Sequence, residues 1–238
     1  MYTVHHFISV VYERESATLK QIWNEIAEDI SRQMILSLWQ FRLAAALHLD
    51  LKLLNITMQW IQDRLSGPKG RVALRALDFD QVIFVPQDTV QADPKDERRY
   101  PVPQSLPQVP GTFAFRCPET RDVYAVTGKG VGFKSMSWRW ALLTALVFCR
   151  RTVFIPRPSY SELVDEMAAN GAHDDLVQMV RRNLEEDYDS RQSLEEIVNS
   201  PFWSRSEVSS PNEVCSVILC ALHYSLRFLL WICYFCFW

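Results

Sequence analysis

Apolar residues recur at helical spacing through the first third of the chain. Leu19, Ile22, Trp23, Ile26 and Ile30 share one helical face, while Lys20, Glu25, Glu28 and Asp29 fall elsewhere, which predicts an amphipathic helix. Ahead of it, the weak alternation from Thr3 to Tyr12 predicts a strand, and Ser16 stands at a helix N-cap position. Beyond it, Leu38, Phe41, Leu47, Leu51, Leu54, Met58 and Ile61 extend the helical pattern from Met34 to Leu65, up to the stop signal Gly67-Pro68. That span is too long for one unbroken globular helix, so at least one break is expected. The short apolar run Val82-Ile83-Phe84-Val85, closed by Pro86, predicts a buried strand.

The pattern then changes. Gln87 to Pro110 contains Pro94, Pro101, Pro103, Pro107 and Pro110 among charges, the composition of an extended spacer. Two β-rich runs follow, Thr112 to Cys117 and Asp122 to Thr127, joined by Pro118-Glu119-Thr120-Arg121. Met136 to Cys149 predicts a helix and Thr152 to Ile155 a further strand. Ser161 to Met167 and Asp174 to Leu184 predict packing helices, with Leu194, Ile197 and Val198 marking a short one before Pro201. The expected architecture is mixed α/β. A helical region (1–86) precedes a proline-rich linker (87–110), a small α/β segment (111–213) and an apolar tail (214–238).

Composition narrows the function classes. The chain has 238 residues, 48% of them hydrophobic and 12% aromatic, enough to bury a real core. A net charge of −3, with basic residues scattered among acids, gives no electrostatic footprint for nucleic acid. Only Cys117 and Cys149 lie outside the last 24 residues, and Met1 to Val11 lacks the basic start and cleavage site of a signal peptide, so an intracellular, reducing setting is expected. Asn55-Ile56-Thr57, a glycosylation sequon only in a secretory lumen, then reads as chance. From Val214 to Trp238 the one fully charged residue is Arg227, and the stretch is long enough to cross a bilayer. His223 and Arg227 in its middle oppose insertion, so membrane anchor, buried core element and appended sequence all stay open. Cys215, Cys220, His223, Cys233 and Cys236 lack the polar turns that separate zinc ligands, and no metal site is expected. The acids Glu185, Glu186, Asp187 and Asp189 read as a solvated run, and His48 and His173 as isolated residues.

Chemistry is suggested in one place. Gly128-Lys129-Gly130-Val131-Gly132-Phe133-Lys134-Ser135 lies between a predicted strand and a predicted helix, and it fits the template G-x-x-x-x-G-K-[ST] except at Phe133, where glycine belongs. Glycines let backbone N–H groups point at phosphates, a helix N-terminus favours negative charge, and lysine and a hydroxyl serve the outer phosphates and Mg²⁺. On these residues the chain resembles the P-loop NTPase superfamily over a short β-loop-α-β stretch. The resemblance implies ATP or GTP with Mg²⁺ as ligand, a cradle at Gly128, Gly130 and Gly132, phosphate contact from Lys134, and metal ligation by Ser135. Phe133 departs from that pattern, and no acid-ended hydrophobic strand follows to hold metal and water. The expectation is a degenerate nucleotide-binding segment without efficient hydrolysis. The alternative is a non-catalytic helical interaction protein, its amphipathic N-terminal helices meeting a partner and its tail anchored in a membrane.

Overall fold

The structure, a computed structural model, describes residues 2–14, 17–61, 71–86, 98–101, 111–121, 130–153 and 159–205. Its elements are β1 (Tyr2–Thr3), α1 (Val4–Arg14), α2 (Ala17–Leu43), β2 (Ala46–His48), β3 (Ile56–Ile61), β4 (Arg71–Ala76), β5 (Val82–Phe84), α3 (Pro118–Arg121), α4 (Phe133–Phe148), α5 (Tyr160–Ala169), α6 (Asp174–Asn183) and α7 (Leu194–Val198). The class is mixed, as expected: helices dominate, beside an antiparallel sheet in the order β1-β3-β4 and a ribbon of β2 with β5. The tail at 214–238 lies outside the described residues.

Helix α4 is the centre of the packing. Its run Phe133-Lys134-Ser135-Met136-Ser137-Trp138-Arg139-Trp140-Ala141-Leu142-Leu143 carries few charges and no polar stripe, the pattern of a helix enclosed on all sides. Lys134 is its one residue that is not buried. Helix α2 lies against it, presenting Trp23, Ile26, Ile30, Met34 and Leu38 at three- and four-residue spacing, all of them buried. The Trp140 indole N–H crosses to the Ser31 carbonyl at 2.9 Å, satisfying a polar group that burial would otherwise leave costly. Helices α5, α6 and α7 pack on the same centre. Reciprocal caps start two of them: Ser159 with Glu162 for α5, and Ser193 with Glu196 for α7.

Three elements differ from the sequence expectation. Thr3 to Tyr12 is helix apart from Thr3 itself, because Val4 and Ile8, one helical turn apart, are both fully buried and the Thr3 hydroxyl caps the helix by accepting from the His6 N–H at 3.1 Å. Thr3 also pairs with Thr57 on β3. The helical reading from Met34 fails after Leu43. Ala45 takes a left-handed φ of 51°, reversing the chain into β2, and Ile56 to Ile61 pairs residue for residue with Arg71 to Ala76. Here β-branched Ile56, Thr57 and Ile61 and their cross-strand partners override a leucine spacing that suits either state. Thr112 to Cys117 is no strand: Phe113–Phe115 is a 3-10 turn, with Phe115 N–H donating to the Thr112 carbonyl at 2.8 Å. The expected strand at Asp122 to Thr127, Ser16, the stop at Gly67-Pro68 and the second half of Thr152 to Ile155 lie outside the described residues, while Thr152 and Val153 form a bend.

Trp140→Ala is expected to cost about 3–5 kcal/mol, as truncation of a buried aromatic does, and Trp140→Phe clearly less. Urea unfolding followed by circular dichroism measures both.

Candidate functional site

The glycine-containing loop enters the described structure at Gly130, and Gly128 lies outside it. Gly130 has φ +69°, and a side chain there would run into the Tyr100 carbonyl, so both backbone path and space call for glycine. The next residue forms a two-way bridge: Val131 N–H donates to Tyr100 O at 2.9 Å and Tyr100 N–H to Val131 O at 2.7 Å. Gly132 is the N-cap of α4, and a side chain there would meet the Tyr188 hydroxyl and the Arg98 carbonyl. Its N–H donates to Ser135 Oγ at 3.3 Å, and the Lys134 N–H donates to the Tyr188 hydroxyl at 3.4 Å. The Lys134 amine donates to the Asp189 carbonyl at 3.0 Å. Thus the N–H groups of Val131, Gly132 and Lys134 all have partners within the chain. Phe133, fully buried, points into the core with the Arg42 guanidinium 4.6 Å from its ring centre.

Ser135 faces the carboxylate of Glu119 on α3, donating to Oε2 at 3.2 Å. Arg191 meets the other oxygen, Oε1, at 2.7 Å, and both side chains of that ion pair are almost wholly buried. Burial alone would raise the Glu119 carboxyl, but the hydrogen bond and charge of Arg191 outweigh it and hold the carboxyl below its usual range. Arg191 also donates to the Glu185 and Glu186 carbonyls, tying the connection after α6 to α3. Tyr188 lies between two guanidinium groups, with Arg99 4.2 Å and Arg191 5.7 Å from its ring centre. A cleft of about 240 Å³ opens here, lined by Arg99, Pro118, Glu119, Gly130, Glu186, Asp187 and Tyr188. Its carboxylates are engaged: Glu119 by Arg191, Glu186 by Arg121 at 2.9 Å, and Asp187 by the Ser190 N–H and hydroxyl.

His48 is not an isolated residue. Its Nδ1 accepts from the Asp50 N–H at 3.3 Å, which puts the ring proton on Nε2, 3.3 Å from the Leu77 carbonyl. Burial lowers its pKa most and the neighbouring Arg139 lowers it further, against a smaller raising effect of the Leu77 carbonyl, so the fold favours the neutral ring. Asp50 accepts from Lys52, from the Thr112 N–H at 2.6 Å and from the Thr112 hydroxyl at 2.8 Å; burial opposes the anion, and these bonds outweigh it to lower its pKa. Arg139, 1% exposed, donates through Nη1 to the His48 carbonyl at 3.3 Å, and its Nε and Nη2 have no hydrogen-bond partner among the described residues. Neither described cysteine is poised as a nucleophile, since burial raises the Cys117 thiol and pushes the Cys149 thiol up to about 12.

On the outside, the β2-β5 ribbon carries apolar surface that sequence reasoning missed. Ala46 pairs with Phe84 and His48 with Val82, so these four side chains share one face, opposite Leu47 and Ile83 in the core; Ala46 and His48 are themselves buried, and Phe84 is the one of the four that stands exposed, at the edge of the ribbon. Phe79 extends that face, its ring 5.9 Å from both Phe41 and His48. Phe84 is 73% exposed, and Phe79, although its ring touches Phe41 and His48, 47%. The missed signal was Asp78-Phe79-Asp80, an aromatic residue set between acids immediately before a strand. Glu119, Tyr188 and Arg191 were missed because only the fold brings them to Ser135.

No group of three or more His, Cys, Asp or Glu side chains among the described residues is placed to hold a metal ion, and no helix among them is long and apolar enough to cross a membrane.

Two pH effects are expected. The folded Glu119 carboxyl lies below its unfolded value of about 4.5, so its contribution is complete above that pH and is lost as pH falls through the folded value. Glu119→Gln lowers neutral-pH stability by about 3–5 kcal/mol, because Arg191 is left buried without its counter-charge, and it flattens the acid limb of the stability curve. His48 has the same sign for a different reason. Its folded pKa lies below the unfolded value of about 6.5, so the unfolded chain binds the extra proton and stability falls as pH drops below that value. In His48→Leu that dependence disappears while the acid limb from Glu119 stays, as read from melting temperatures across pH. In comparisons with known proteins, no family model and no curated sequence matches the chain.

Proposed function

We propose that the chain is a non-catalytic interaction protein, with the exposed face around Phe79 and Phe84 as its contact surface. The observation that carries this reading is the exposure of Phe84, a large apolar ring on a strand whose other face is locked in the core. Burying such a ring against a partner is worth about 1.5–3 kcal/mol, the scale of a binding hot spot. The apolar stripe of α2, by contrast, packs inside the chain, which leaves the ribbon face rather than that stripe as the contact surface. Membrane attachment through residues 214–238 and an intracellular setting belong to the same proposal. They are checked by fractionating full-length chain with and without the tail: a chain that is equally soluble in both forms removes the anchor.

A second reading keeps the P-loop-like β-loop-α-β segment as a degenerate nucleotide site at Gly128, Gly130, Gly132, Lys134 and Ser135. What favours it is the cleft of about 240 Å³ beside the first turn of α4, with Arg99 on its wall. Weighing against it are the intrachain partners of the Val131, Gly132 and Lys134 N–H groups, and a cleft lining on which Glu119 and Glu186 already occupy Arg191 and Arg121 and Asp187 repels phosphate.

One experiment separates the readings. Labelled ATP and GTP with Mg²⁺ are titrated against the chain and against Lys134→Ala, and Phe79→Ser/Phe84→Ser is melted in parallel. The interaction reading predicts no saturable nucleotide binding, and an unfolding free energy lowered by no more than about 2 kcal/mol in the double variant, nearly all of it from Phe79, which touches Phe41 and His48, and little from the exposed Phe84. Saturable binding that Lys134→Ala abolishes would instead establish the nucleotide site.

A further inference from the structure

The ribbon face also carries information about what it meets. Asp78 and Asp80, both exposed, stand on either side of Phe79, and the turn that bears them is held firmly. Asp78 has a left-handed φ of 60°, a conformation that aspartate tolerates better than most residues. Its Oδ2 accepts from Asn55 Nδ2 at 3.0 Å, the Leu77 N–H donates to the Asn55 carbonyl at 2.7 Å, and the Val82 N–H closes the turn onto the Phe79 carbonyl at 3.1 Å. The aromatic rings are therefore displayed on a fixed frame, which lowers the ordering cost of binding.

Resting on the interaction reading above, we propose that the Phe79–Phe84 face docks an amphipathic helical segment of another protein whose apolar stripe is flanked by Lys or Arg. Phe79 and Phe84 supply the apolar contact, and Asp78 and Asp80 the charge complement. Charge is what selects this occupant. A second copy burying this face about a two-fold axis would bring four carboxylates, Asp78 and Asp80 of each copy, into one interface with no basic group supplied against them by the turn. An anionic bilayer surface would repel the same two carboxylates. A partner strand would find only the three residues Val82–Phe84 to pair with on β5, too few for a stable ladder.

The test uses the full-length chain and two synthetic amphipathic peptides with the same leucine stripe, one flanked by lysine and one by glutamate, followed by fluorescence anisotropy. The lysine peptide is expected to bind roughly tenfold or more tightly than the glutamate peptide. That gap should narrow at about 0.5 M salt and in Asp78→Asn/Asp80→Asn, where asparagine keeps the turn conformation. Phe84→Ser, checked as folded by circular dichroism, should weaken the lysine peptide roughly tenfold. If the glutamate peptide binds as well as the lysine peptide, the basic partner is wrong while the surface stands. If neither peptide binds, or if Phe84→Ser changes nothing, the surface itself is wrong and the interaction reading falls with it. Concentration-dependent self-association abolished by Phe84→Ser would assign the face to a second copy, and binding to phosphatidylserine vesicles abolished by it would assign it to lipid. Either result overturns the proposal.

Discussion

The Phe133 ring, buried beneath the Arg42 guanidinium at the first turn of α4, fixes where the central helix begins and how deep it sits. Everything around it is arranged by that constraint. With Phe133 in the core, Gly132 must approach the Tyr188 hydroxyl and the Arg98 carbonyl without a side chain, and Gly130 must pass the Tyr100 carbonyl in a left-handed conformation. Ser135, one turn in, is then aimed at Glu119, and the Glu119–Arg191 pair draws in the connection after α6. The glycines and the serine have roles in the packing at that joint, and the same geometry brings protein partners to N–H groups that a phosphate would need.

The pattern of buried charge follows from the same centre. A carboxylate and a guanidinium removed from water cost several kcal/mol each, and their mutual contact offsets that cost only while both are present. The Glu119–Arg191 pair therefore matters more for holding α3 to the residues after α6 than for net stability. His48 and Asp50 make a second polar joint, linking β2 to the Leu77 carbonyl and, through Thr112, to the 3-10 turn at Phe113–Phe115. That joint also holds the turn from which Phe79 is displayed, so the exposed face inherits its rigidity from the core.

Much of the fold was legible where local signals agreed. α5 and α6 carry helical spacing, α4 is a long apolar run, and Ser159 and Ser193 each have a glutamate three residues on, so for α5 pattern and capping point the same way. β2 and β3 were illegible because Leu47, Leu51, Leu54 and Met58 keep a helical spacing, and only pairing with β5 and β4 decides against it. The candidate site divides similarly. Lys134 and Ser135 could be placed on a helix start from the sequence, but their partners Asp189, Tyr188 and Glu119 are remote in the chain and come to them only through the fold. Phe84 reads as a core residue in an apolar run, and the period-two geometry of β5 is what turns it away from Ile83 and outward at the edge of the ribbon.

Restoring the glycine of the phosphate-binding template is the most direct measurement. In Phe133→Gly, urea unfolding and titration with labelled ATP are read on the same preparation. If Phe133 is the anchor of α4, the substitution costs about 3–5 kcal/mol, as loss of a buried aromatic ring does, and no nucleotide binding is gained. A variant that keeps its stability and binds ATP more tightly than the parent would contradict this, and would make Phe133 the plug of a phosphate site.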